Sequence, residues 1–150
     1  KGVFYWYFAS KEELFRDICS SACHELRRAQ QAAIGDEPDP VARIEAGIRA
    51  SLGWFDEHRH LFNLLCFAAT AERFAPVLRH NEEIAVGDVT RHLKEAMAQG
   101  RIADQDPDGL AHALIGVSRH LARTYLYERD DPVADVADLA VRFSLRGLVG

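Results

Sequence analysis

Three Asp-Pro pairs, Asp39-Pro40, Asp106-Pro107 and Asp131-Pro132, punctuate a chain whose apolar residues otherwise recur at threes and fours. An aspartate oxygen accepts the first free amides of a helix, and a proline at the next position brings a preset φ where its missing N–H is not needed. Each pair therefore predicts a helix start. Gly35 and Gly100 stand where two of the helices should end, because glycine takes the left-handed conformation that closes a helix. No stretch carries the two-residue alternation of a strand or the turn residues of a hairpin, so the chain is expected to be all-α, with about six helices.

The spacing of apolar residues sets the individual elements. Ser10 followed by Glu13 has the pattern of a capping box and predicts a helix beginning at Lys11, with Leu14, Phe15, Ile18, Cys19, Ala22, Leu26 and Ala33 along one side. A second helix runs from Pro40 to about His58. Residues 60–71 are apolar nearly all round, which predicts a short helix buried on most sides. A long helix follows over 75–99. The helix opened by Pro107 is expected to reach about Arg129 with two apolar stripes, one through Leu110, Leu114, Val117 and Leu121, the other through Ala111, Ile115, Ala122 and Leu126. One stripe can serve the core and the other a partner. Asp131 and Pro132 open the last helix, which carries Val136, Ala140 and Phe143.

A chain of 150 residues that is 48% hydrophobic and 27% charged belongs with single globular domains, away from the disordered and fibrous classes. It has neither a membrane-length apolar run nor a secretory leader, so no membrane partner is expected and the cytoplasm is the expected location. Cys19, Cys23 and Cys66 are an odd number, which favours buried, reduced thiols over a disulfide framework. Lys1 in place of methionine predicts more chain upstream. A net charge of -5 would argue against nucleic-acid binding by these residues alone.

The N-terminal stretch asks for a partner nonetheless. Phe4, Tyr5, Trp6, Tyr7 and Phe8 are consecutive, and consecutive helical side chains point around the whole circumference, so they cannot all face one core. With its neighbours the stretch reads GVFYWYFASKEEL. It resembles the hallmark segment of the tetracycline-repressor (TetR) family of transcription regulators, in which the recognition helix of a helix-turn-helix ends and the long helix leading into the regulatory domain begins. The resemblance implies two domains, residues 1–9 as the end of a DNA-binding head whose remainder lies upstream, and residues 10–150 as a helical ligand-binding and dimerisation domain.

It also implies roles. Phe4 and Phe8 match apolar positions that pack the head, while Tyr5, Trp6 and Tyr7 match positions that face the DNA backbone. Lys11 matches a lysine that grips a phosphate, and Lys1 matches a position that can reach base edges. Val3 departs from the pattern, since the family usually has a threonine there that adds a phosphate contact.

The resemblance further implies operator DNA, a small-molecule inducer and a second copy of the chain as partners, with no enzymatic activity and no cofactor. The inducer cavity is expected to draw its wall from the aromatic and histidine-rich middle: Trp54, Phe55, His58, His60, Phe62, Cys66 and Phe67, with His112, Arg119, His120 and Tyr125 from later helices. Mostly apolar walls with a few polar groups suit a small hydrophobic or amphipathic ligand. The dimer is expected to form along the last two long helices through Leu110, Leu114, Val117, Leu121, Val136, Ala140 and Phe143.

Other residue patterns suit different chemistry. Glu57 and His60 form the ExxH pair of di-iron bundles, but there is no second pair. Asp88 with His92 and Asp108 with His112 have metal-compatible spacing, and Cys19 with Cys23 sits beside His24. They leave a helical-bundle metal or redox sensor without DNA binding as the alternative function; no metal site is expected. No GxSxG elbow, phosphate loop or HExxH motif points to an enzyme.

Overall fold

The computed structural model describes residues 2–150, with the side chains of all of these except residues 3, 4, 5 and 8. Among them lie six α-helices and one π-helical stretch: α1 (Gly2–Ile34), α2 (Pro40–Glu57), α3 (Arg59–Thr70), α4 (Ala75–Ala98), α5 (Pro107–Leu121), the π stretch (Ala122–Glu128) and α6 (Val133–Val149). No strand occurs among the described residues. No single helix there is long and apolar enough to cross a membrane.

Two of the three Asp-Pro starts form as the local chemistry requires. Asp39 accepts the Val41 amide at 3.0 Å, and Asp106 accepts that of Asp108 at 3.2 Å. At the third start Pro132 takes the cap position without a side-chain bond, and Asp131 turns instead to Arg129 at 3.1 Å. Gly35 and Gly100 have φ of 49° and 66°, the left-handed closures expected of them. Asp39 also holds Arg101 at 2.9 Å through its second oxygen, tying the start of α2 to the turn after α4. Asp39→Ala should therefore cost about 1–2 kcal/mol in urea unfolding, the cap and a surface ion pair together. An unchanged midpoint would show that the cap does not matter.

The capping box does not form. α1 passes through Ser10 and Glu13 without a break, so the expected start at Lys11 is replaced by one helix of 33 residues. Between Gly2 and Ser10 there is no proline or glycine to stop the ladder, and an unbroken ladder satisfies with backbone carbonyls the amides that the box would have served.

α2 is the hub, packing against every other helix. It runs antiparallel to α1, with Gln30 donating to Ser51 at 2.8 Å, and antiparallel to α4, with Arg43 on Glu95 at 2.6 Å. Leu52 and Leu93 are fully buried between them. α1 and α4 run in the same direction, joined by Arg27–Asp88 and by Phe15 against Phe74. α5 returns antiparallel along α4, fixed by Arg119–Glu82 and by Thr90 donating to Asp108. α6 lies on α2, with Val136, Ala140 and Leu148 buried.

The helix opened by Pro107 departs from expectation at Ala122, where α geometry gives way to a wider π winding. In an α-helix Tyr127 would point about 140° away from Ala122, five residues at about 100° each. The π winding brings it inward with Ala122 and Leu126, both fully buried. There its hydroxyl donates to the Phe55 carbonyl at 2.8 Å and its ring meets Phe62 edge-on. α3 also departs from expectation: only Phe62 and Ala68 are buried, and Phe67 is 65% exposed. This short helix caps one end of the bundle, so one side packs and the other faces outward.

Candidate functional site

A cavity of about 390 Å³ lies between α1, α2, α4 and α5, with α3 across one end. That volume is within the range of small-molecule sites, roughly 300–1,000 Å³. The end toward α3 is apolar, formed by Phe55, Phe62, Leu65, Ala75 and Leu78. Ile48, Leu114 and Ile115 continue the apolar wall along the middle. One ion pair, Arg119 with Glu82 at 2.8 Å, crosses from α5 to α4 on the way.

The opposite end is polar. Arg27 grips Asp88 through two nitrogens, at 2.6 and 3.1 Å, and Arg91 approaches the same carboxylate at 3.6 Å. His92 lies one residue further along α4 with its Nδ1 buried and without a hydrogen-bond partner. Burial lowers the pKa of His92, Arg91 and Arg43 lower it further, and Asp88 and Glu95 oppose them. The ring is therefore neutral at pH 7, with one nitrogen unused. Burial is rare for an unpaired polar atom, and a buried one costs free energy until something bonds it.

The cysteines are protonated. Cys19 is buried, while Cys23 and Cys66 line the cavity. Burial raises all three pKa values, that of Cys23 to about 11, which disfavours the thiolate that redox or metal chemistry uses. No group of three or more metal-ligating side chains is gathered among the described residues. Asp88 and Asp108, read as candidate partners of His92 and His112, are engaged by Arg27 and Thr90 instead.

Of the residues expected to form the ligand wall, the structure brings Phe55, Phe62, Cys66 and Arg119 together on the cavity. Trp54 and His58 stack on each other, centroids 4.4 Å apart, away from it. Phe67, His112 and His120 are exposed on outer faces, as is His60; Tyr125 lies under the Arg129 guanidinium. The contributions of α1 and the later part of α4, above all Arg27, Gln30, Asp88 and His92, were not anticipated. The Asp88/His92 spacing was the one signal in the sequence that pointed there.

Of the expected dimer residues, Val136 and Ala140 are buried inside the protomer, in the face of α6 that packs on α2. Leu114 is buried on the cavity wall. Leu110, Val117 and Leu121 are half-buried, and Phe143 is 65% exposed. In the N-terminal segment Trp6 and Tyr7 are exposed on α1, and the Lys11 ammonium stands 4.6 Å from the Tyr7 ring centre. Leu14 and Ile18 extend that exposed side. Lys1 and the Tyr5 side chain, expected at the DNA, lie outside the described residues.

No protein-family model and no curated protein matches the sequence. Solved structures do. A TetR-family transcriptional regulator from Syntrophomonas wolfei superposes with a TM-score of 0.81 at 15% identity, covering 100% of this chain and 78% of that one. A TetR-family regulator from Thermus thermophilus gives 0.73 at 22% identity, over 97% and 80%. A Clostridium perfringens protein described as a fatty acid metabolism regulator gives 0.82 at 25% identity, over 99% and 82%. The chain has the all-helical fold of these TetR-family transcriptional regulators.

Proposed function

We propose that this chain is the sensing and dimerising body of a DNA-binding repressor, released from its operator when a small hydrophobic or amphipathic molecule enters the cavity. One observation carries the reading. α1 is a single continuous helix that bears the GVFYWYFASKEEL segment at its start and lines the cavity from Cys23 to Ile34 at its end. A ligand that moves that wall moves the segment with it.

The exposure of Trp6, Tyr7 and Lys11 suits side chains that meet the DNA backbone, where phosphate oxygens accept from hydroxyl, indole and ammonium donors. Tyr5 and Lys1 are assigned to the same surface by the motif alone. Leu14 and Ile18 offer apolar ground on which the preceding helices of a reading head would pack. Exposed Phe143 of α6, with the half-buried Leu110, Val117 and Leu121 of α5, forms the proposed twofold interface, and a dimer matches a pseudo-palindromic operator read by two recognition helices.

The test is a gel-shift titration with the chain extended through its natural upstream sequence. Lys11→Ala should weaken operator binding about tenfold at low salt and flatten the salt slope by about one, the signature of one lost phosphate contact. Binding that ignores both the substitution and the salt concentration would remove the DNA role.

A further inference from the structure

The cavity is a channel with unlike ends. Leu78 and His92 stand on α4 about 21 Å apart along the helix, at a rise of about 1.5 Å per residue. Around Leu78 the wall is mainly aromatic and aliphatic, with the exposed Arg79 and the Arg119–Glu82 pair at its edge; around His92 it carries charge that is not in balance. Three guanidiniums, Arg27, Arg43 and Arg91, share two carboxylates, Asp88 and Glu95, and Arg91 has only the long contact to an Asp88 already held by Arg27. Gln30 adds an amide that reaches Ser51. A positive excess next to an unpartnered imidazole nitrogen is the complement of one negative oxygen head.

We propose that the ligand is an amphiphile with a single carboxylate, bound with its head between His92 and Arg91 and its apolar tail running toward Phe55, Phe62, Leu65 and Leu78. This rests on the reading of the cavity as the ligand site and adds the class and the orientation of what enters it. The carboxylate accepts from the Arg91 guanidinium and from Nδ1 of His92, which ends the orphaned state of that nitrogen. The head also has to tolerate Asp88, and the bidentate hold of Arg27 on Asp88 keeps that charge neutralised. A neutral head would leave the excess charge uncompensated, and a cationic head would add to it.

The charge of the head is tested with three probes of equal tail length, decanoate, decanol and decyltrimethylammonium, each kept below the concentration at which it forms micelles. Isothermal titration should give decanoate an affinity at least about tenfold above decanol, as charge-assisted hydrogen bonds are roughly twice as strong as neutral ones. The cation should bind more weakly than the alcohol.

His92→Leu and Arg91→Gln should each remove most of the preference for decanoate and leave decanol binding in place. His92→Leu should also melt no lower than the unsubstituted protein when empty, since it removes an unpaired buried nitrogen. A lower melting temperature with the preference intact would make His92 a structural residue and overturn its role. Equal binding of decanoate and decanol, or tighter binding of the cation, overturns the carboxylate head and leaves the cavity as a ligand site. Binding of none of the probes, or binding that persists when Ala85→Trp plugs the channel, overturns both.

Discussion

The Phe143→Glu chain should sediment as a folded monomer at concentrations where the unsubstituted chain forms the proposed dimer. Phe143 is 65% exposed in the protomer, so its replacement removes little internal packing. Burying one phenylalanine contributes about 1.5–3 kcal/mol, and a twofold interface buries two. Placing a carboxylate there adds a desolvation cost to that loss. The dimer dissociation constant should therefore rise by at least about a hundredfold, equivalent to about 2.8 kcal/mol. Equilibrium sedimentation reads this directly, with an unchanged helical circular-dichroism spectrum as the control. A variant that remains dimeric at micromolar concentration would place the twofold elsewhere.

Leu52→Ala should cost about 3–5 kcal/mol, the upper range for a leucine truncated in a closed core. Leu52 is fully buried on the hub helix, among side chains from the helices packed round it, so nothing nearby can move in to fill the space. Leu65→Ala provides the contrast. Leu65 is half-buried and borders the cavity, so its truncation enlarges a space that already exists and should cost about 1–2 kcal/mol. Urea unfolding followed by circular dichroism gives both values. Equal losses at the two positions would mean that the cavity is closed in solution.

What could be read from the sequence was what the sequence decides locally. Asp39, Asp106, Gly35 and Gly100 begin or end helices as expected because a cap is made by residues two or three positions apart. Ser10 and Glu13 have equally good local spacing, yet the box does not form, because nothing before them interrupts the ladder. The π winding at Ala122–Glu128 was not legible, since its reason is the bond from Tyr127 to the Phe55 carbonyl, 72 residues away.

The site divided in the same way. Aromatic content led to Phe55 and Phe62, which do line the cavity, and equally to Trp54 and Phe67, which do not. The polar end was hidden for a physical reason. Arg27, Gln30, Asp88 and His92 look like ordinary residues of a solvated helix face, and only the parallel course of α1 and α4 turns them toward one another. No spacing within either helix carries that information.

The unbroken α1 also has a mechanical consequence. From Cys23, where the cavity wall begins, to Gly2 the helix extends for 21 residues, about 32 Å at about 1.5 Å each. A swing of roughly 10° about the wall would carry the far tip through about 5–6 Å, more than the rise of one base-pair step. On the proposed function such a lever needs no relay of side chains: a ligand would have only to tilt the rod, and the length of the arm would set the gain.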